Sequence, residues 1–314
     1  MGTPILPHKV LQSAVRRSVR ARREDDSLTL TGLVRKRGLG ESDLGEIKAL
    51  EEACNHAEDI RIKFNWGMMR ERDGSYDSDF CFYEQGRLVG YAPLDGFGGA
   101  FEVTAAVLPA SRRQGVFVAL FAAACHEARI RQACELLLVS YPASTAGTAV
   151  VQRLALPYKN SEYRMEAAVD TIPPLAPNLV TLETVDAATV ADLSKLLAVS
   201  FGDSRWNDPE MLLKELERAN KRYFLAKLDG RVIGQIGVIV ENRSVYIRAV
   251  GIAPEWRHQG YGRQLLATTV QQMLTEGQTH FALDVATENR QALALYQSCG
   301  FHETTAYDYH TVPL

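Results

Sequence analysis

The chain has 314 residues and a formal net charge of −3, with 46% hydrophobic and 23% charged residues. Its length exceeds one ordinary domain, its composition is that of a globular chain able to bury real cores, and its mild acidity argues against bulk nucleic-acid binding. The five cysteines (Cys54, Cys81, Cys125, Cys134, Cys299) are odd in number and include no CxxC pair, so reduced thiols in a cytoplasmic protein are expected, with no zinc site and no disulfide framework.

Residues 1–27 form a basic extension carrying Arg16, Arg17, Arg20, Arg22 and Arg23. The acidic run "EDDS" follows where an export signal needs an apolar stretch, and no apolar run reaches the roughly 18 to 20 residues of a membrane helix. The extension reads as a solvated or surface-packed segment, with an anionic partner or membrane surface as the minority reading.

Residues 28–169 begin with a strand in "LTLTGLVRKR" and a helix in "ESDLGEIKALEEAC", with Ser42 as a possible cap. A hairpin "DFCFYEQGRLVGYAPL" turns at Gly86. A strand, a loop and a helix follow in "AFEVTAAVLPASRRQGVFVALFAAACHEA", then a strand in "CELLLVSY". Residues 170–178 hold most of "DTIPPLAPNLV", whose prolines favour extended backbone, and they read as a linker.

Residues 179–314 repeat that order. "LVTLETV" is a strand, "DAATVADLSKLLAVSFG" an amphipathic helix ending at Gly202, and "NDPEMLLKELERAN" a second helix with Asp208 placed to cap it and Pro209 at its first position. "YFLAKLDGRVIGQIGVIV" is a hairpin turning at Asp229-Gly230, and "SVYIRAVGIAP" is a strand. A glycine loop leads into the helix "RQLLATTVQQMLTEG". Strand "HFALDVA", helix "NRQALALYQSCG" and strand "TTAYDYHTV" complete the chain. Pro109, Arg112 and Gly115 fall on Pro254, Arg257 and Gly260 at a constant offset of 145 positions, which marks an internal repeat.

The stretch "RHQGYG", Arg257 to Gly262, lies between a strand and a helix. Free N–H groups and the positive end of the helix dipole point at an anion there, and glycine lets the backbone approach it. Taken alone, a structural tight turn explains the loop equally well. No Gly-Lys-Ser/Thr follows it and GxGxxG is absent, so neither a Walker A loop nor a dinucleotide fingerprint is present.

"VGIAPEWRHQGYGRQLL" followed by "LDVATENRQALALYQSCGF" resembles the acetyl-CoA-binding core of the Gcn5-related N-acetyltransferase (GNAT) superfamily. The resemblance covers the C-terminal half and extends, more faintly, to the N-terminal half. It implies an α/β fold of the α+β mixed-sheet kind, with two tandem GNAT-like acyl-CoA N-acyltransferase folds in one chain: a degenerate N-terminal one and a catalytic C-terminal one. It further implies that Arg257, His258, Gln259, Gly260, Tyr261, Gly262 and Arg263 hold the pyrophosphate of acetyl-CoA, the co-substrate, with no metal. Backbone N–H groups near Val250 and Ile252 would hold pantetheine and polarise the thioester, where charge develops during attack. Strand Val245 to Ile252 would splay from strand Phe281 to Val285 to admit that arm. Asn289 matches the family asparagine that touches the cofactor, and a helix N-cap is its compatible structural reading.

The reaction needs a neutral amine and a protonated thiol leaving group. Tyr296 matches the family tyrosine that protonates the thiolate; packing on the inner helix face is its other reading. Asp284 occupies the slot of the base in ribosomal-protein alanine acetyltransferases, where the shorter side chain favours a bridging water; a structural buried aspartate is the alternative. Asp308 and Glu241 are lesser candidates, and Tyr307, Tyr309 and His310 are candidates for the acceptor groove or ordinary strand residues.

In the N-terminal half, Phe117 stands where Gly262 does and would project toward phosphate. With a one-residue shift after the loop, Tyr296, Asn289 and Asp284 fall on Gln152, Thr145 and Ser140, with Tyr141 or Tyr158 as geometric substitutes for the acid. Only the C-terminal half is therefore expected to bind acetyl-CoA well. The leading expectation is an N-acetyltransferase acting by direct attack in a ternary complex on a small-molecule, peptide or protein amine, as a monomer or homodimer, without nucleic acid or membrane. A mycothiol-synthase-like enzyme acylating a cysteinyl sugar and a non-catalytic acyl-CoA-binding or sensing module are the alternatives.

Overall fold

The computed structural model describes residues 30–97, 99–173, 179–202, 208–218 and 220–314. The basic extension and residues 174–178 of the expected linker lie outside them. In chain order the elements are β1 (Gly32–Lys36), α1 (Glu41–Glu58), α2 (Trp66–Arg70), β2 (Asp79–Glu84), β3 (Arg87–Phe97), β4 (Ala100–Val103), β5 (Ala106–Val107), α3 (Val116–Ile130), β6 (Glu135–Ser140), α4 (Thr145–Leu154), β7 (Tyr158–Ala168), β8 (Thr181–Thr184), α5 (Val190–Phe201), α6 (Pro209–Leu216), β9 (Lys221–Leu228), β10 (Arg231–Glu241), β11 (Ser244–Ile252), α7 (Tyr261–Thr275), β12 (His280–Ala286), α8 (Arg290–Ser298) and β13 (His302–Thr311). The helix expected at Glu41 is capped by Gly40 and not by Ser42; the Asp43 carboxylate accepts the Gly40 N–H at 3.1 Å, which satisfies one end of the first turn. Asp208 caps α6 as expected, accepting from the N–H groups of Glu210 and Met211.

The chain forms two compact units. The first comprises residues up to Asn160 together with Tyr307–Leu314, and the second Ser161–Ala306. In the first unit the strands run β1-β2-β3-β4-β6-β13, with β5 paired to β3, and in the second β7-β12-β11-β10-β9-β8. Neighbours are antiparallel except β4 with β6 and β11 with β12, which run parallel.

These units do not follow the expected division into residues 28–169 and 179–314. Glu162–Ala168 of β7 pair with β12 in the second unit, and Asp308–Thr311 of β13 pair with β6 in the first. Burial accounts for both placements: Met165 and Ala167 enter the second unit's core, whereas Tyr307, Tyr309 and Val312 enter the first's. Tyr307 and Tyr309 are therefore core side chains, each 2% exposed, and not lining of an acceptor groove. Tyr307 meets the Tyr141 ring edge-on, and both Tyr307 and Tyr309 lie beneath the Lys63 ammonium.

In the second unit, α7 and α8 pack on one face of the sheet through Leu265, Leu266, Val270, Met273, Leu293 and Tyr296. On the other face, α5 and α6 pack through Leu193, Leu197 and Leu212 against Tyr223 and Leu225. The alternation of β12 follows from this: Phe281, Leu283 and Val285 are buried beneath α7 and α8, which turns Asp284 to the opposite face.

Candidate active site

The site is built where β11 and β12 part. They pair in parallel at Ser244, Val245 and Tyr246, opposite His280, Phe281 and Ala282. Among the described residues no ladder joins them beyond that point, although β11 runs on to Ile252 and β12 to Ala286. On its other edge β11 is bulged: Gly237 faces Arg248 and Gln235 faces Gly251, so Ala249 and Val250 together oppose Ile236. Ala249 adopts φ +53°, a left-handed conformation that bends the strand out of line. The splaying expected from the sequence is present, and the bulge, which the alternation of "SVYIRAVGI" does not reveal, helps produce it.

Beyond Ile252 a turn of 3-10 helix, Pro254–Trp256, leads into the glycine loop. His258 and Gly260 take φ +61° and +83°, and α7 begins at Tyr261. Arg257 spends its side chain on the fold, its Nε donating to the Ile252 carbonyl at 2.8 Å, and Gln259 Nε2 donates to the Glu255 carbonyl at 3.2 Å. Arg257 thus locks the loop to the end of β11, and Gln259 locks it to the 3-10 turn between them. Arg263 Nη2 donates to the Ser298 carbonyl, linking α7 to the end of α8. Gly262 lies in the first turn of α7. A Cβ there would meet Leu295 at 3.5 Å and Ile252 at 3.8 Å, ordinary contacts, so the fold itself does not require glycine at this position.

Tyr296 sits on α8, 8% exposed, tilted against Phe301. Burial, with a smaller contribution from Cys299, pushes its phenol up to about 12. Among the described residues its hydroxyl has no hydrogen-bond partner, and it is not a fully enclosed atom. Asn289 is the N-cap of α8, its Oδ1 accepting the Ala292 N–H at 3.1 Å. Val250 and Ile252 are half-buried against the core under α7 and α8.

Asp284 is fully engaged. Its Oδ1 accepts from Arg164 Nε at 2.5 Å, and its Oδ2 accepts from Arg164 Nη2 at 3.1 Å and from the Tyr246 hydroxyl at 3.0 Å. Its side chain is 5% exposed. The carboxylate expected to serve as base thus lies in a hydrogen-bonded ion pair on the sheet face opposite Tyr296. Arg164 and Tyr246 escaped sequence reasoning because they stand 120 and 38 positions away. Glu241 ends β10 at a turn, and Asp308 pairs in the first unit opposite Ser140.

The first unit repeats this loop almost atom for atom. Arg113 and Gly115 take φ +62° and +90°, Arg112 Nε donates to the Val107 carbonyl at 3.0 Å, and Gln114 Nε2 donates to the Ala110 carbonyl at 2.9 Å. The caps of the following helices extend the same offset of 145: Ser144 accepts from Gly147 as Asn289 does from Ala292. This corrects the one-residue shift. Tyr296, Asn289 and Asp284 correspond to Val151, Ser144 and Val139, and not to Gln152, Thr145 and Ser140.

Phe117 does not project outward. It lies against the first unit's core, stacked on Phe121 at 5.4 Å. Tyr141 is buried and its hydroxyl accepts the Lys63 N–H at 2.6 Å, while Tyr158 is exposed and touches His310 edge-on. His310 is itself buried and joined to Ser140 at 3.1 Å. The start of α4 already holds an anion of its own. The Glu58 carboxylate accepts from Ala146 N, Ser144 Oγ and Thr145 Oγ1, and Arg112 stands 3.3 Å away. Burial alone would raise this carboxyl, but those donors and Arg112 outweigh it and hold it below the usual range. Among the described residues no group of three or more His, Cys, Asp or Glu side chains is arranged to hold a metal, and no helix is long and apolar enough to cross a membrane.

A splayed parallel pair feeding a left-handed loop at a helix start, with a tyrosine behind it, is the arrangement that the resemblance implies. Residues 190–301 match the family described as "Acetyltransferase (GNAT) family". Over 124 residues the chain is 32% identical to the N-alpha-acetyltransferase RimI of Mycobacterium tuberculosis, covering 38% of this chain and 75% of that protein. The chain belongs to the GNAT acetyltransferase family. A mycothiol acetyltransferase of Thermomonospora curvata is 28% identical over 293 residues, covering 86% of this chain and 93% of its own. In fold, the chain is similar to a tandem GNAT protein from the clavulanic acid biosynthesis pathway, with a TM-score of 0.68 and 18% identity over 89% of this chain and 97% of that one.

Proposed function

We propose that the protein is an acetyl-CoA-dependent N-acetyltransferase whose second unit binds and catalyses while the first is structural. The observation that carries this reading is the fork between β11 and β12 that opens toward the loop at the head of α7, with the Tyr296 hydroxyl uncommitted on the α7 and α8 face. Acetyl-CoA supplies the activated acetyl group. The unpaired N–H groups at the start of α7, with His258, Gln259, Gly260 and Tyr261 beside them, suit its pyrophosphate, and the missing side chain at Gly262 leaves room for close approach.

Backbone N–H groups near Val250 and Ile252 stabilise the oxyanion that forms as a neutral amine attacks the thioester carbonyl. The attacking nitrogen releases one proton to solvent as the amide forms, and Tyr296 hydrogen-bonds the departing sulfur and yields its proton as the C–S bond breaks; the phenolate is reprotonated from solvent. The burial that keeps the phenol protonated also raises the basicity of a thiolate leaving beside it, which favours the transfer. The first unit fits a supporting role, since Val151 stands where the acid would be, Phe117 replaces Gly262 with a ring packed on the core, and Glu58 occupies the start of α4.

The acceptor reading that one observation favours is a cysteinyl sugar amine, because the mycothiol acetyltransferase similarity spans both halves of the chain. The test is thiol release from acetyl-CoA across a panel of cysteinyl sugars, polyamines, aminoglycosides, amino acids and peptide N-termini. Turnover with a subset of these amines is expected. Tight coenzyme A binding with no turnover anywhere in the panel would turn the reading toward an acyl-CoA sensor.

A further inference from the structure

The network on the far face of the fork has no place in the chemistry above, yet it is well positioned. Tyr246 is the last residue of β11 that still pairs with β12, and Asp284 stands two residues beyond its partner Ala282. The Tyr246 hydroxyl therefore reaches forward across the widening gap to a strand that its backbone has just left. Asp284 faces Arg164 on β7 directly, as its register partner, and receives both ends of the guanidinium. Arg164 closes the triangle by lying 5.3 Å from the centre of the Tyr246 ring. Each of the three side chains touches the other two, across three adjacent strands, at the point where the ladder between two of them fails.

From this geometry we infer that Tyr246, Asp284 and Arg164 form a strut that sets the opening of the cofactor fork, so that Asp284 is a positioning residue and not the base. A base must reach the amine proton, and Asp284 is 5% exposed with both oxygens already accepting hydrogen bonds. The Tyr246 hydroxyl stays a donor as well, because burial and the Asp284 charge drive its phenol well above its ordinary value. Loss of one arm leaves the remaining partners partly buried and mismatched, and the cheapest relief is a shift of β11 relative to β12, which alters the slot that takes the pantetheine arm.

This inference rests on the acetyl-CoA reading, and the experiment separates the two. Acetyl-CoA affinity is measured by calorimetry for the full-length chain and for Tyr246→Phe, Asp284→Asn and Arg164→Met, alongside melting temperatures. Turnover against pH is then followed with an amine from the panel. The strut predicts that Tyr246→Phe and Asp284→Asn each weaken acetyl-CoA binding about tenfold, and that the double variant is far from additive. It also predicts kcat within about threefold of the parent and an unchanged rise of kcat/KM with pH. Unchanged affinity in Asp284→Asn, with kcat down by about 10²-fold or more and its pH dependence lost, would overturn the strut and restore a base. If Asp284→Asn fails to fold, Tyr246→Phe decides alone, since it removes one hydroxyl and keeps the ring: unaltered affinity there refutes the strut. Absence of acetyl-CoA binding by the parent chain would sink the functional reading instead.

Discussion

Tyr296 and Gly262 show how much one position can carry. Tyr296→Phe keeps the ring that packs on Phe301 and deletes only the hydroxyl, so folding and acetyl-CoA affinity should be preserved while kcat falls by about 10²-fold or more. The pH profile checks the same assignment from another side. A phenol pushed up to about 12 stays protonated from pH 6 to 10, so kcat should show no tyrosine-dependent fall in that window; a descending limb near pH 9 that disappears in the phenylalanine variant would contradict the burial described here. Gly262→Ala separates fold from ligand. The new methyl group meets only ordinary contacts with Leu295 and Ile252, so stability should change by no more than about 1 kcal/mol, whereas acetyl-CoA affinity measured by titration should drop about tenfold.

Among the elements, the helices past the fork depend on their ends. Asn289→Ala removes the acceptor for the Ala292 N–H and should cost about 1 kcal/mol in urea unfolding. Gly300, which follows α8, is under a firmer constraint. It takes φ +91°, and a Cβ there would lie 2.3 Å from the Thr171 carbonyl oxygen, so Gly300→Ala should destabilise by roughly 2 kcal/mol or more. At this scale the sequence was most legible. The offset of 145 between the two glycine loops, read from letters alone, reappears in φ angles, in the arginine-to-carbonyl bonds and in the caps that follow. The bulge at Ala249 and the partners of Asp284 were not legible. Alternation assigns a side chain to a face, but not the residue that meets it there from a strand more than a hundred positions distant.

For the whole molecule, the strand exchange was the least legible feature, because a short alternating strand fits either sheet and only the pairing decides. "SEYRMEAA" reads as the end of the N-terminal half, yet Met165 and Ala167 are buried in the second core. Removing Tyr307–Leu314 would strip β6 of its partner on one edge, leaving only β4 on the other, and take Tyr307, Tyr309 and Val312 from the first unit's core. Such a chain should lose cooperative unfolding of the first unit and gain hydrogen exchange at β6. Likewise, a fragment spanning residues 179–314 should aggregate, because β12 would present an unpaired edge, while a fragment beginning at residue 158 restores β7.

The placement of β13 also has a consequence in time. Synthesis runs from the N-terminus, and domains ordinarily fold as they emerge. Here the last eight residues of the chain belong to the first unit. The unit translated earliest must wait, with one edge of β6 unfilled, until Tyr307–Leu314 have emerged. The second unit, ending at Ala306, has all its strands in hand before that moment. A nascent chain that stalls after Ala306 would therefore hold every strand of the second unit while the first still lacked most of β13.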